Sequence, residues 1–210
     1  MPGAQFPPRD EDIPAMMAAA FRMFPADKVA RATEVALAAY NKSAYPPGQD
    51  NFWRATDIIT HLFFTCGTRR SARAFTAQGE TAYLYQLNYN LTYVGGLLYA
   101  LLGDFHSSEL TFVFQNEFPL GLTQFTPADL ALSAEVQRMW AGMAAAGSPN
   151  AGAPPTATTW PKYSSADDQN LVLHAPPLAV MKGLESAHCD IWDEVATILG
   201  PAPGGAEMPW

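Results

Sequence analysis

Gly103-Asp104-Phe105-His106-Ser107-Ser108-Glu109-Leu110-Thr111-Phe112-Val113-Phe114 decides how this chain is read. It sets a histidine and a carboxylate three residues apart, between a glycine and an apolar run. Just upstream, Ala82-Tyr83-Leu84-Tyr85-Gln86-Leu87 is short, aromatic-rich and preceded by the turn residue Gly79, which predicts a strand. Residues 88–105 then read as a glycine-interrupted loop. A histidine on a loop beyond a strand end can be aimed into a cleft, as general acid–base chemistry requires. The same place suits an ordinary loop histidine, and the residues alone leave both open. Glu109 would stand in the first turn of any helix starting there, where the macrodipole favours a carboxylate. Ser107 to Phe114 has no decisive period of its own.

Outward from this stretch the pattern is helical. Residues 11–23 predict a helix with Pro14 tolerated in its first turn, and Pro25 opens a second through Tyr40. After the break at Tyr45-Pro46-Pro47-Gly48, Asp50 is the expected N-cap of a helix from Asn51 to Phe64. Residues 69–77 read as helix too. The clearest helix runs from Pro127 to Ala146. Thr126 caps it, Asp129 completes the capping box and Gly147 ends it. Its apolar stripe is Leu132, Val136, Met139, Trp140 and Met143, which is core rather than chemistry. Asn170 to His174 predicts a second strand, and His188 to Leu199 a last helix. Amphipathic helices need a surface to cover. Two short strands are little sheet for so many helices, so the rest of a sheet is expected outside this chain.

The composition bounds the function. The chain has 210 residues, 49% hydrophobic and 15% charged, which suits one globular domain with a core. A net charge of −8, with no basic run longer than Arg69-Arg70, argues against a nucleic-acid partner. The longest apolar run, Val94 to Leu102, is interrupted by Gly95 and Gly96 and falls short of the roughly 18–20 residues of a membrane span. The first residues carry neither the basic nor the apolar region of a signal peptide. Two sequons, at Asn41 and Asn90, and two cysteines, Cys66 and Cys189, nevertheless suit a secreted protein. The cysteines can form one bridge or remain two buried thiols. No His-x-x-x-His pair and no Gly-rich phosphate loop occur, so neither metal nor cofactor is expected. His188-Cys189-Asp190 makes a poor ligand set, because three successive helical side chains diverge.

Several segments together carry a resemblance. Gly103 to Phe114 resembles the histidine motif of type-B carboxylesterases and cholinesterases, where Gly-x-x-His-x-x-Glu leads into an apolar stretch ending Phe-Val-Phe. Asp57 to Cys66 is similar to that family's helix ending in a cysteine, and Ala82 to Tyr85 to its penultimate strand. Phe125 to Ser133 and Met139 to Asn150 resemble its long helix with a Gly-x-Pro-Asn exit. Trp160-Pro161-Lys162-Tyr163 and Cys189-Asp190-Ile191-Trp192-Asp193 follow in the family's order. The resemblance implies an α/β fold, the C-terminal fragment of an α/β-hydrolase, mostly helices flanking a few remaining strands. Residues 1–199 would be an incomplete catalytic domain and 200–210 a disordered tail. It further implies that His106 is the catalytic histidine, that Glu109 is a buried carboxylate near the active site and not the triad acid, and that Cys66 pairs with Cys189. The parent enzyme would be secreted or extracytoplasmic.

The family's chemistry is acyl transfer through a serine. The hydroxyl is too weakly acidic to attack unaided, so a histidine takes its proton and later hands it to the departing alkoxide. Backbone N–H groups stabilise the oxyanion. In α/β-hydrolases the chain order is serine, acid, histidine. No Gly-x-Ser-x-Gly and no His-Gly-Gly-Gly occurs here, so no nucleophile and no oxyanion hole is assigned. Pro2 to Phe6 is a faint likeness of the acid-bearing segment with proline in the acid's place, and Asp10, Glu11 and Asp12 read as helix-start residues. No triad acid is assigned. The chain is therefore expected to supply the histidine of a serine carboxylesterase, to be inactive alone, and to meet a small ester only when joined to the missing N-terminal portion. It could come from a truncated gene, complement a separately encoded half, or act as a non-catalytic cholinesterase-like interaction module.

Overall fold

In the computed structural model, residues 8–89, 103–116, 125–152 and 157–201 are described. Their elements run in the order α1 (Asp12–Ala20), α2 (Ala26–Ala38), a 3-10 turn (Lys42–Ala44), α3 (Asp50–Thr60), a π-helical turn (His61–Thr65), α4 (Cys66–Ala77) and β1 (Tyr85–Leu87). Then follow α5 (Leu110–Phe114), α6 (Pro127–Ala146), a 3-10 turn (Pro149–Ala151), β2 (Gln169–Leu173), β3 (Ala179–Lys182) and α7 (Ser186–Leu199). Two compact units result. One combines Met1–Ser71 with Glu185–Trp210, and the other is Ala72–Leu184.

The first unit is all helix among its described residues. Phe21, Tyr40 and Leu62 from the N-terminal segment share its core with Trp192, Val195 and Leu199 of α7. Lys28 donates to the Leu199 carbonyl at 2.9 Å, satisfying one of the orphan acceptors at the end of α7. The third helix departs from expectation. Asp50 is its first residue rather than its cap, and Gln49 takes the cap position. At His61 the helix widens into a π turn before resuming as α4. A π turn inserts extra chain into the helical repeat. Here His61 and Leu62 go inward while Phe63 and Phe64 stay exposed.

The second unit carries the sheet. β1 pairs parallel with β2, Tyr85 opposite Leu171 and Leu87 opposite Leu173. β2 pairs antiparallel with β3, Leu171 opposite Val180. The strand order is β1-β2-β3, so the described residues hold one more strand than expected. β3 escapes a search for alternation because it is an edge strand with Val180, Met181 and Lys182 all exposed. A parallel pair needs a long crossover, and α6 lies within it. Leu132, Val136 and Met139 of α6 are fully buried in one core with Leu171 and Leu173 of β2. Met143, expected in that stripe, is 39% exposed, and the residue buried in that turn is Gly142. The capping box at Thr126 and Asp129 forms as the sequence predicts, and Gly147 ends α6 in the left-handed conformation, φ 67°.

Candidate functional site

His106 is exposed, in the turn that joins the segment after β1 to α5. The turn is built by backbone bonds: the Ser108 amide donates to the Phe105 carbonyl at 3.1 Å and the Leu110 amide to that of Ser107 at 3.2 Å. Ser107 is left-handed, φ 68°, which swings the chain sharply from His106 into the helix. Below the turn, α5 is fastened to α6. The Phe112 carbonyl accepts from Ser133 Oγ at 2.7 Å and from Gln137 Nε2 at 3.4 Å. The buried Phe112 ring meets Tyr89 edge-on at 5.3 Å. Tyr89 in turn donates to Asp129 at 2.8 Å, so one carboxylate both caps α6 and anchors the chain leading out of β1. The imidazole thus stands on a short, well-supported turn, which a proton-transferring group needs.

Glu109 lies directly before α5, half-buried rather than buried, at the helix-start position where a carboxylate stays solvated. Its charge reaches Tyr85 on β1: burial raises that phenol first, and Glu109 raises it further. Desolvation lifts Asp104 to about 6, although the residue surface is exposed; a hydrogen bond from the Tyr89 backbone amide partly offsets the rise. Ser108, two residues past the histidine, is buried, and its hydroxyl has no hydrogen-bond partner among the described residues.

Of the other expected residues, Cys66 and Cys189 form a disulfide, S–S 2.01 Å, both buried. That bridge removes Cys189 from any ligand set with His188 and Asp190. Asn41 is exposed and its side chain accepts from the Ser43 amide at 3.0 Å. Asn90, Pro2 to Phe6 and the tail from 202 onward lie outside the described residues. Asp12 pairs with Arg9 at 3.0 Å, and Asp10 with Lys42 and Arg54, so these acids serve surface ion pairs.

A second constellation escaped the sequence reading. In the helical unit, His61, Glu185 and His188 offer ligand atoms all within 4.8 Å of one another. Glu185 Oε2 lies 2.9 Å from His188 Nδ1 and 3.6 Å from His61 Nε2. His61 Nδ1 bonds the Tyr40 hydroxyl at 2.9 Å, and Tyr40 accepts from Trp192 Nε1 at 2.7 Å. Burial pulls the His61 imidazole well below its ordinary value, to about 4; Glu185 draws it up and His188 pushes it down again. Glu185 and His188 form an i, i+3 pair at the start of α7, which the sequence could have revealed. His61 is far away in the chain, and only the π turn brings it inward.

The carboxylesterase family model matches residues 10–192. The chain is 31% identical to the acetylcholinesterase of Gallus gallus over 133 residues, 55% of this chain and 17% of that protein. With the acetylcholinesterase of Danio rerio it shares 30% over 95 residues, 44% of this chain and 15% of that one. A crystal structure of the Geobacillus stearothermophilus carboxylesterase at pH 6.2 is similar at TM-score 0.59 and 28% identity, covering 76% of this chain and 31% of that one. A second structure of that enzyme, at pH 6.8, gives TM-score 0.62 at 24% identity, 88% of this chain and 33% of that one. The match thus spans a third or less of each relative's length. The fold is that of α/β-hydrolase carboxylesterases, reduced to a small sheet with flanking helices, and the chain belongs to the carboxylesterase family.

Proposed function

We propose that this chain is the C-terminal portion of a serine carboxylesterase, residues 1–199 belonging to its catalytic domain, and that it supplies His106 as general base and then general acid. The observation that carries the reading is His106 itself: an exposed imidazole, rigidly supported, beyond the end of a parallel strand and inside the family's histidine motif. In that role Nε2 takes the serine proton during attack on the ester carbonyl and returns it to the alkoxide leaving group. Glu109 then acts beside the histidine, through charge, without being the triad acid.

Three features support the idea that a second polypeptide stretch completes the enzyme. The first is the absence of a Gly-x-Ser-x-Gly elbow from the 210 residues. The second is that β1, among the described residues, pairs on one side only. Parallel strands belong to sheets covered on both faces, and an open edge is a liability that folds avoid. The third is the buried Ser108 hydroxyl, which has no hydrogen-bond partner among the described residues, and the exposed Leu110 and Phe114 of α5. These are groups that a complete active site would cover or bond. The ester substrate is a small molecule, met only in the completed enzyme. The disulfide and the exposed Asn41 sequon fit an oxidising, extracytoplasmic compartment.

The purified chain is assayed with an activated short-chain ester, alone and co-expressed with a serine-bearing N-terminal portion of a family member. The expected outcome is no turnover alone, and turnover in the complemented sample that is lost with His106→Ala. Removing one triad member costs orders of magnitude in rate. Turnover by the chain alone that disappears in His106→Ala would overturn the claim of inactivity. Complementation that survives His106→Ala would overturn the histidine's role.

A further inference from the structure

We propose that His61, Glu185 and His188 form a binding site for a divalent transition-metal ion of the zinc class. Two imidazoles and a carboxylate are a donor set that zinc favours over calcium or magnesium. A tetrahedral ion with bonds of about 2.0–2.2 Å holds its donor atoms roughly 3.3 Å apart. The carboxylate oxygen of Glu185 lies 2.9 Å from one ring nitrogen and 3.6 Å from the other, on either side of that spacing. The ion enters between them and takes the place of the hydrogen bond between His188 and Glu185. His188 binds through Nδ1 as a neutral imidazole, with its one ring proton on Nε2.

The outer partners suit the role. Tyr40 holds His61 Nδ1, which leaves Nε2 facing Glu185 as the ligand atom. Ligating histidines characteristically bond an outer group through their second nitrogen, which fixes the ring. The tyrosine oxygen is itself held by Trp192. With the ion bound, His61 Nδ1–H donates to that oxygen, whose two lone pairs serve both bonds. The two imidazoles stack at 4.6 Å and 28°. His188, with its side chain 32% exposed, turns to bring its lone pair into line while His61 stays in place. The solvent side, where Glu185 is 38% exposed, leaves room for water as a fourth ligand.

Backbone features point to two of the three residues. His61 is presented by a π turn, a feature found often at functional sites. Glu185 is left-handed, φ 47°, which is costly for a residue with a Cβ and tends to persist where a side chain must be aimed. The Cys66–Cys189 bridge ties the two donor elements together, with Cys189 adjacent to His188. The two donor elements are therefore held together before any ion arrives, and only the His188 ring has to adjust.

The untagged full chain is titrated with ZnCl2 against a chromophoric zinc indicator, and with CoCl2 by visible absorption. One equivalent of each is expected to bind, with cobalt showing the visible bands of a four-coordinate ion, and with no competition from magnesium. His188→Ala and Glu185→Gln, both partly exposed and so tolerable to the fold, are each expected to weaken zinc by about tenfold or more. His174→Ala is expected to bind as the parent does. Zinc should raise the thermal midpoint of the parent and not of His188→Ala. Binding that is absent in the parent, or unchanged in both His188→Ala and Glu185→Gln, or lost in His174→Ala, overturns the site.

Discussion

Two residues before His106, Asp104 keeps its proton to a higher pH in the folded chain than in the unfolded one, because desolvation lifts it from 3.8 to about 6. Between those values the folded state binds more protons, so stability falls as pH rises through about 4 to 6. Solvent screening reduces the size of the effect, since the residue surface is exposed. Thermal midpoints of the parent and Asp104→Asn, followed from pH 4 to 7, should therefore diverge. The variant is expected to lack this loss over that interval, and parallel curves would refute the assignment. At this scale the sequence was informative where chemistry is local. His106 and Glu109 stand three residues apart in one short motif, and the Thr126–Asp129 box spans one helical turn. The cluster of His61, Glu185 and His188 was not legible, because its members come from segments that only folding brings together and His61 turns inward only at a π turn.

Among the elements, α6 was legible end to end, since its cap, proline start and terminal glycine all agree with its apolar stripe. The strand β3 was not, since an exposed edge carries no alternation. Nor was a close approach near the C-terminal end of α6. A Cβ on Gly142 would lie 2.7 Å from the Gly152 amide nitrogen and 2.9 Å from the Ser148 carbonyl oxygen. Those are backbone atoms of the turn that follows the helix, and they cannot swing aside as a side chain can. In an open helix, glycine to alanine stabilises by about 1 kcal/mol. Here the overlap outweighs that gain, and Gly142→Ala is expected to destabilise by about 1–3 kcal/mol. Urea unfolding, comparing midpoints at unchanged slope, decides the sign. A stabilised variant would mean that the turn yields without cost.

At the scale of the whole molecule, the α/β class was implied by the family resemblance rather than by periodicity, and the likeness to solved carboxylesterases together with the parallel pair β1–β2 bears it out. The division into two units did not follow from composition, because no linker-like stretch marks Ser71 or Glu185. The helical unit is discontinuous in sequence, with Ala72–Leu184 inserted between its two parts. Its second part, α7, must return over that distance to cover α2, and the disulfide closes the loop at a separation of 123 residues. In the chain-entropy model a bridge of that span stabilises by about 4–5 kcal/mol, mostly by restricting the unfolded chain. Replacing both cysteines by alanine avoids leaving a buried polar group at either position. The double variant is expected to lose a stability of that order. Its hydrogen exchange should accelerate in α2 and α7, where Lys28 meets the last carbonyl of α7, with α6 protection largely kept. Equal loss of protection in α6 would show instead that the chain opens as one cooperative body, with the bridge stabilising all of it alike.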